Sequence, residues 1–251
     1  MLALAIPNGN GNLLYKTNST KKWEPYSSDT KIILNAVGDW VKFGNTTNKF
    51  TPIWATDLLG DYGYIPENDG AFKLSGKIAA SGSVQSLVND CATWDDDTND
   101  WKKDENGNII HNNLIAGKFS GLFGGCSGLI IAPELPATKL TDNCYEYMFN
   151  NCPNLVNAPE LPATNLAPAC YELMFTHCTS LTSAPELPAT SAETAVYNAM
   201  FTRCTSLKKA PLINLNTGIN SHYWPMYNMF AECENLNSIE VRFTDWNDRN
   251  F

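Results

Sequence analysis

Ala132-Pro133-Glu134-Leu135-Pro136-Ala137-Thr138, continuing through Cys144-Tyr145 and Met148-Phe149 to Cys152 and Leu155, is a stretch the chain writes again and again. It returns from Ala158 through Cys170-Tyr171, Met174-Phe175 and Cys178 to Leu181. It returns once more from Ala184 through Tyr197, Met200-Phe201 and Cys204 to Leu207. A degenerate copy keeps Ala210-Pro211, Met229-Phe230, Cys233 and Leu236, and a partial copy, Leu122-Phe123 with Cys126 and Leu129, precedes them all. Phenylalanines fall at 123, 149, 175, 201 and 230, with cysteines three residues after each and leucines six. Every step is 26 residues except the last, which is 29. Three columns that keep one period and shift together define a structural repeat. The extra residues lie in His222-Tyr223-Trp224-Pro225 or just before it.

Within a unit, Leu166, Cys170, Met174, Cys178 and Leu181 are spaced by 4, 4, 4 and 3 residues. That spacing predicts a helical stripe of about three turns, with Thr164 or Asn165 as cap and Pro168 in its first turn. Leu181 to Pro188 holds two prolines and predicts a very short strand or extended segment followed by a turn. One such coil cannot bury its own apolar face, so neighbouring coils must stack, each Phe on the Phe of the next. The expected fold is α/β, a short leucine-rich-repeat-like solenoid of 26-residue units preceded by a small antiparallel β domain. The solenoid would occupy 111–251: a partial unit 114–131, units 132–157, 158–183, 184–209 and 210–238, and a cap 239–251.

The APELPAT…CY..MF..C.SL units resemble the BspA-like, leucine-rich-repeat-type surface proteins abundant in gut Bacteroidetes and their phages. The resemblance covers about residues 111–241 and departs from the ordinary L-x-x-L-x-L-x-x-N repeat. It implies a β-rich segment ahead of the repeats and a role in adhesion or recognition.

Residues 1–110 carry a different pattern. Leu13-Leu14-Tyr15, Trp23 to Tyr26, Lys31 to Ala36 and Trp40 to Phe43 predict short strands, with Val37-Gly38-Asp39 as a turn. Phe72 to Ile78 alternates and predicts a half-buried strand, in a sandwich-like domain ending near residue 90. A polar flap is expected near 92–113, with Asp104-Glu105-Asn106-Gly107-Asn108 as a hairpin tip.

The formal charge is −9, from 17 basic and 26 acidic residues, which argues against nucleic acid as a partner. No apolar run approaches a bilayer span, so no membrane insertion is expected. The start, Met1 to Pro7, lacks the basic region and length of a signal peptide.

Eight cysteines invite disulfide or metal readings. Ala195 stands where the other units have Cys144 and Cys170, which favours small buried packing residues. Reduced packing ladders are therefore expected, with cross-repeat disulfides down the 126, 152, 178 and 204 column as the alternative. Without C-x-x-C or C…H spacing, no metal site or cofactor is expected. His111, His177 and His222 occupy unrelated positions, and no nucleophile motif occurs, so no catalytic residue is assigned. Asp95-Asp96-Asp97-Thr98-Asn99-Asp100 fails the EF-hand pattern and is expected to be a solvated loop, with calcium as the alternative. Tyr145, Tyr171 and Tyr197 share one repeat position and are expected to be half-buried core, with a sugar platform as the alternative.

Glu134, Glu160 and Glu186 form a column of like charges on neighbouring coils. Splaying into water is the default, and a basic or cation-bearing ligand docking there is the candidate binding site. The expected function is non-enzymatic: recognition or adhesion outside a cell or on a virion, towards a cell-surface glycan or protein. The alternative is a structural phage fibre or capsid-decorating protein, oligomeric or in contact with neighbouring virion subunits. A glycan hydrolase is a remote third class, needing two carboxylates in a cleft.

Overall fold

The structure, a computed structural model, describes residues 2–4, 13–20, 22–26, 31–34, 36, 38–45, 72–74, 77–80, 94–95, 100–101, 119–216 and 224–242. In the first half, β1 (Leu2–Leu4), β4 (Lys31–Ile32) and β6 (Phe72–Leu74) form a three-stranded antiparallel sheet with β1 in the middle. A second such sheet centres on β2 (Leu13–Thr17), flanked by β3 (Glu24–Pro25) and β5 (Val41–Asn45). Tyr26 is buried against Tyr15 and Phe43, edge to face with each. Gly38, at φ +93°, makes the turn before β5, and the Ala36 N–H donates to the Asp39 carboxylate at 2.9 Å. A left-handed φ of this kind suits glycine because no Cβ meets the backbone.

The stretch from Phe72 to Ile78 is two strands rather than one. β7 (Ile78–Ala79) leaves the antiparallel sheet and pairs in parallel with β10 (Leu129–Ile131) of the first repeat unit. The division at residue 110 is therefore crossed by hydrogen bonds, Ile78 N–H to Gly128 O at 2.8 Å and Ala80 N–H to Ile131 O at 3.0 Å. β8 (Trp94–Asp95) pairs antiparallel with β9 (Asp100–Trp101), and residues 96–99 of the acidic run lie outside the described residues. The hairpin tip expected at 104–108 lies outside the described residues.

The helical expectation is overturned: the described residues contain no helix. Asn143, Tyr147 and Asn151 all have φ near +55°, as do Ala169, Leu173 and His177 in the next unit and Ala195, Ala199 and Arg203 in the third. A left-handed residue every fourth position is incompatible with an α-helix. The backbone instead makes tight turns joined end to end. Cys144, Glu146, Met148 and Asn150 donate to carbonyls three residues back, at 2.9–3.3 Å. The residues between them donate out of the unit: Asn143, Tyr145, Tyr147, Phe149 and Asn151 reach the carbonyls of Pro168, Cys170, Glu172, Met174 and Thr176 at 2.7–3.1 Å. Alternate N–H groups thus serve the turn and the neighbouring unit, which accounts for the backbone donors of the segment. The strict four-residue step, unlike the 3.6 of a helix, is what the spacing of Cys170, Met174 and Cys178 records.

The extended return of each unit also lies on the next in parallel. Bridges join Ile131 to Asn157, Asn157 to Ser183, Lys139 to Asn165 and Leu187 to Ile213. Inside this stack Phe123, Phe149, Phe175, Phe201 and Phe230 form one column with ring centroids 5.5–5.7 Å apart and planes within 13°. Phe119, Tyr145, Tyr171 and Tyr197 form a second, at 6.0–6.1 Å. Aromatic pairs at these separations add to the burial of the Met, Cys and Leu columns beside them. The hydrogen bond from Asn216 N–H to Thr190 O keeps an offset of 26, whereas that from Tyr197 N–H to Pro225 O is at 28 instead of 25. The three extra residues therefore lie between Asn216 and Pro225.

Candidate recognition surface

The surface is built by alternation in Pro-Glu-Leu-Pro-Ala-Thr. In an extended segment successive side chains point to opposite faces. Leu135, Leu161 and Leu187 and then Ala137, Ala163 and Ala189 enter the core, at 4% exposure or less. Glu134, Glu160 and Glu186 are all exposed, as are Thr138, Thr164 and Thr190. Pro162 and Pro188 stand exposed between them and Pro136 half-buried. Because the units lie in register, the three glutamates form one outward column, about 4.8 Å per coil for hydrogen-bonded neighbours. Glu, Pro and Thr columns side by side make a lateral face of one composition repeated three times. Proline there fixes the backbone and removes an N–H that would otherwise need an acceptor.

The other candidate groups turn inward. Tyr145, Tyr171 and Tyr197 are 0–1% exposed, so their rings belong to the core and present no platform to a sugar. The seven described cysteines form no disulfide with one another, and those of the 152, 178, 204 and 233 column donate to the carbonyls of Phe123, Phe149, Phe175 and Phe201 at 3.0–3.1 Å. Burial pushes the Cys144 and Cys178 thiols up to about 12, far from nucleophilic thiolates. Cys91 lies outside the described residues, as do His111 and His222. His177 is paired on the outside of the turns, its Nε2 2.9 Å from Arg203 Nη1, and Arg203 Nε donates to Glu232 at 2.8 Å.

A second acidic pair escapes a reading of the sequence. Glu146 and Glu172 occupy equivalent positions of two units, half-buried beside the tyrosine column. Asn143 Nδ2 donates to Glu146 at 2.9 Å, and Asn198 Nδ2, one unit on, donates to Glu172 at 2.7 Å. Burial raises the Glu146 carboxyl to about 7, the Asn143 hydrogen bond opposes the rise, and the charge of Glu172 adds to it. Glu172 is raised too, again chiefly by burial. The 26-residue spacing marks the two glutamates as equivalent but does not tell that they are half-buried.

No protein-family model matches this chain, no curated protein does, and no solved structure does.

Proposed function

We propose that the chain is a non-enzymatic recognition protein of a cell or virion surface. It is of the BspA-like, leucine-rich-repeat type in its repeats, though without their expected helix. The observation that carries this reading is the lateral Glu-Pro-Thr face, three copies deep on a rigid stack. A repeated face of this kind suits a ligand that itself repeats, such as a glycan, or a protein with spaced basic groups. Three exposed carboxylates in a column favour a ligand bearing cations, whose approach relieves their mutual repulsion. Binding of the whole chain to an array of glycans and host-surface proteins tests the reading. The triple variant Glu134→Gln, Glu160→Gln, Glu186→Gln is expected to lose the strongest signal. Unchanged binding of every ligand by that variant would remove the site.

A structural role, as a fibre or decoration contacting neighbouring subunits, is the second reading, favoured by the exposed Trp224, Tyr227 and Ile239 at the last described unit. Incubation with host polysaccharides and a reducing-end assay separates both readings from glycan hydrolysis, since either predicts no new reducing ends.

A further inference from the structure

The two ends of the stack differ. At the first unit, residues 119–124 are all buried, so its outer side is covered. At the last, Trp224 and Tyr227 are 50% and 38% exposed, and Phe230, Cys233 and Leu236 are only half-buried where their counterparts in earlier units are fully buried. Phe230 stacks on Phe201 and, among the described residues, carries no further ring of the column.

The backbone at this end has one polarity. Tyr197, Ala199, Phe201 and Arg203 donate to Pro225, Tyr227, Met229 and Ala231. Their counterparts one unit on are Met226, Asn228, Phe230 and Glu232. None of these four N–H groups has a hydrogen-bond partner among the described residues. Met226 is fully buried, so the edge open to a partner is the donor row of Asn228, Phe230 and Glu232, at every second residue, with an aromatic ring and an apolar stripe beside it.

We propose that this edge docks the backbone of a partner polypeptide. The segment would lie in parallel register, turn its carbonyls at every second residue towards the N–H groups of Asn228, Phe230 and Glu232, and set an apolar or aromatic side chain over Phe230. The interface between successive units displays this arrangement repeatedly within the chain itself, and the edge is one more such interface with its second half supplied in trans, a form of strand addition. A second copy is not the occupant. Two copies meeting through this edge would set donors against donors, and the acceptor side of the first unit is covered. The inference does not depend on the lateral Glu-Pro-Thr face, which lies on a different side of each unit.

The probe is a synthetic peptide with the sequence of residues 166–183, whose carbonyls at 168, 170, 172, 174 and 176 carry the acceptor pattern. Amide hydrogen exchange of the full chain is followed with and without it, against a scrambled peptide. Exchange at Asn228, Phe230 and Glu232 is expected to slow at least tenfold with the probe, while the amides of Tyr145 and Phe149 stay unchanged. Phe230→Asp, and the milder Tyr227→Lys at an already exposed site, are each expected to weaken probe binding at least tenfold. Four results would overturn the inference: no protection, equal protection by the scrambled peptide, full protection of these amides in the protein alone, or self-association that Phe230→Asp abolishes.

Discussion

The Cys178 thiol donates to the Phe149 carbonyl, 3.1 Å away on the preceding unit. The same bond recurs from Cys152, Cys204 and Cys233 to the corresponding phenylalanines. The column thus serves as a set of small apolar donors that clamp one coil to the next. Cys178→Ala strips that donor from a buried carbonyl and leaves a small void, so a loss of about 1–2 kcal/mol is expected in urea denaturation. Cys178→Ser keeps a donor and is expected to lose less. Equal losses for Ala and Ser would show that the thiol only fills space.

Tyr145 carries the one buried side-chain polar atom found without a hydrogen-bond partner among the described residues, its hydroxyl. The first unit places Phe119 in the same column, stacked on Tyr145 at 6.1 Å, so a ring without the hydroxyl fits there. Relief of an unpaired buried hydroxyl stabilises by about 1 kcal/mol or more. Tyr145→Phe is therefore expected to raise the unfolding midpoint, and a drop would mean that the hydroxyl has a partner in solution.

Stability should fall as pH rises through the range where Glu146 titrates. Its folded-state value of about 7 stands above the ordinary 4.5 of a carboxyl in an unfolded chain, so the unfolded state releases its proton first. The folded protein is consequently most favoured below pH 4.5 with respect to this group and loses about 3 kcal/mol by pH 7, on the order of 1.4 kcal/mol per unit. Glu146→Gln should abolish most of that slope, stabilising at pH 8 and changing little at pH 4. A parallel pH profile for variant and parent would place Glu146 in water.

Ala199 sits at φ +49°, in the column that the first unit fills with Gly121 at φ +62°. A left-handed alanine costs about 1–2 kcal/mol, against 0.5–1 kcal/mol for the greater freedom that glycine loses on folding. Ala199→Gly is expected to stabilise by roughly 0.5–1 kcal/mol in thermal unfolding, and Ala199→Val, β-branched, to destabilise. The opposite order would mean that this turn is not left-handed.

Much of this architecture is legible in the columns themselves. Equal spacing of Phe149 and Phe175 requires that each unit be laid on the next, and the rings lie 5.5 Å apart. The local backbone is not legible in the same way. Pairs such as Cys144-Tyr145 and Met148-Phe149, repeated every four residues, mark one face of a helix and one side of a turn ribbon alike. The distinguishing signal lay in Gly121, Gly125, Asn143 and Asn151, residue types that tolerate positive φ, placed four or eight apart. Later units hide it by using Ala, Leu, His and Arg at those positions, where bonds to the neighbouring unit hold the strained turn. The Glu134 column is legible because Leu135 and Ala137 alternate with it. Glu146 and Glu172 are not, since nothing in Tyr-Glu-Tyr or Tyr-Glu-Leu tells which side chain turns inward.

Scalar coupling across hydrogen bonds in the isotope-labelled full chain measures the stack most directly. Phe149 N–H donates to Met174 O at 2.9 Å, and the corresponding through-bond correlation from Phe149 nitrogen to Met174 carbonyl carbon is predicted. A correlation from Phe149 to Tyr145, four residues back as in a helix, would contradict the account.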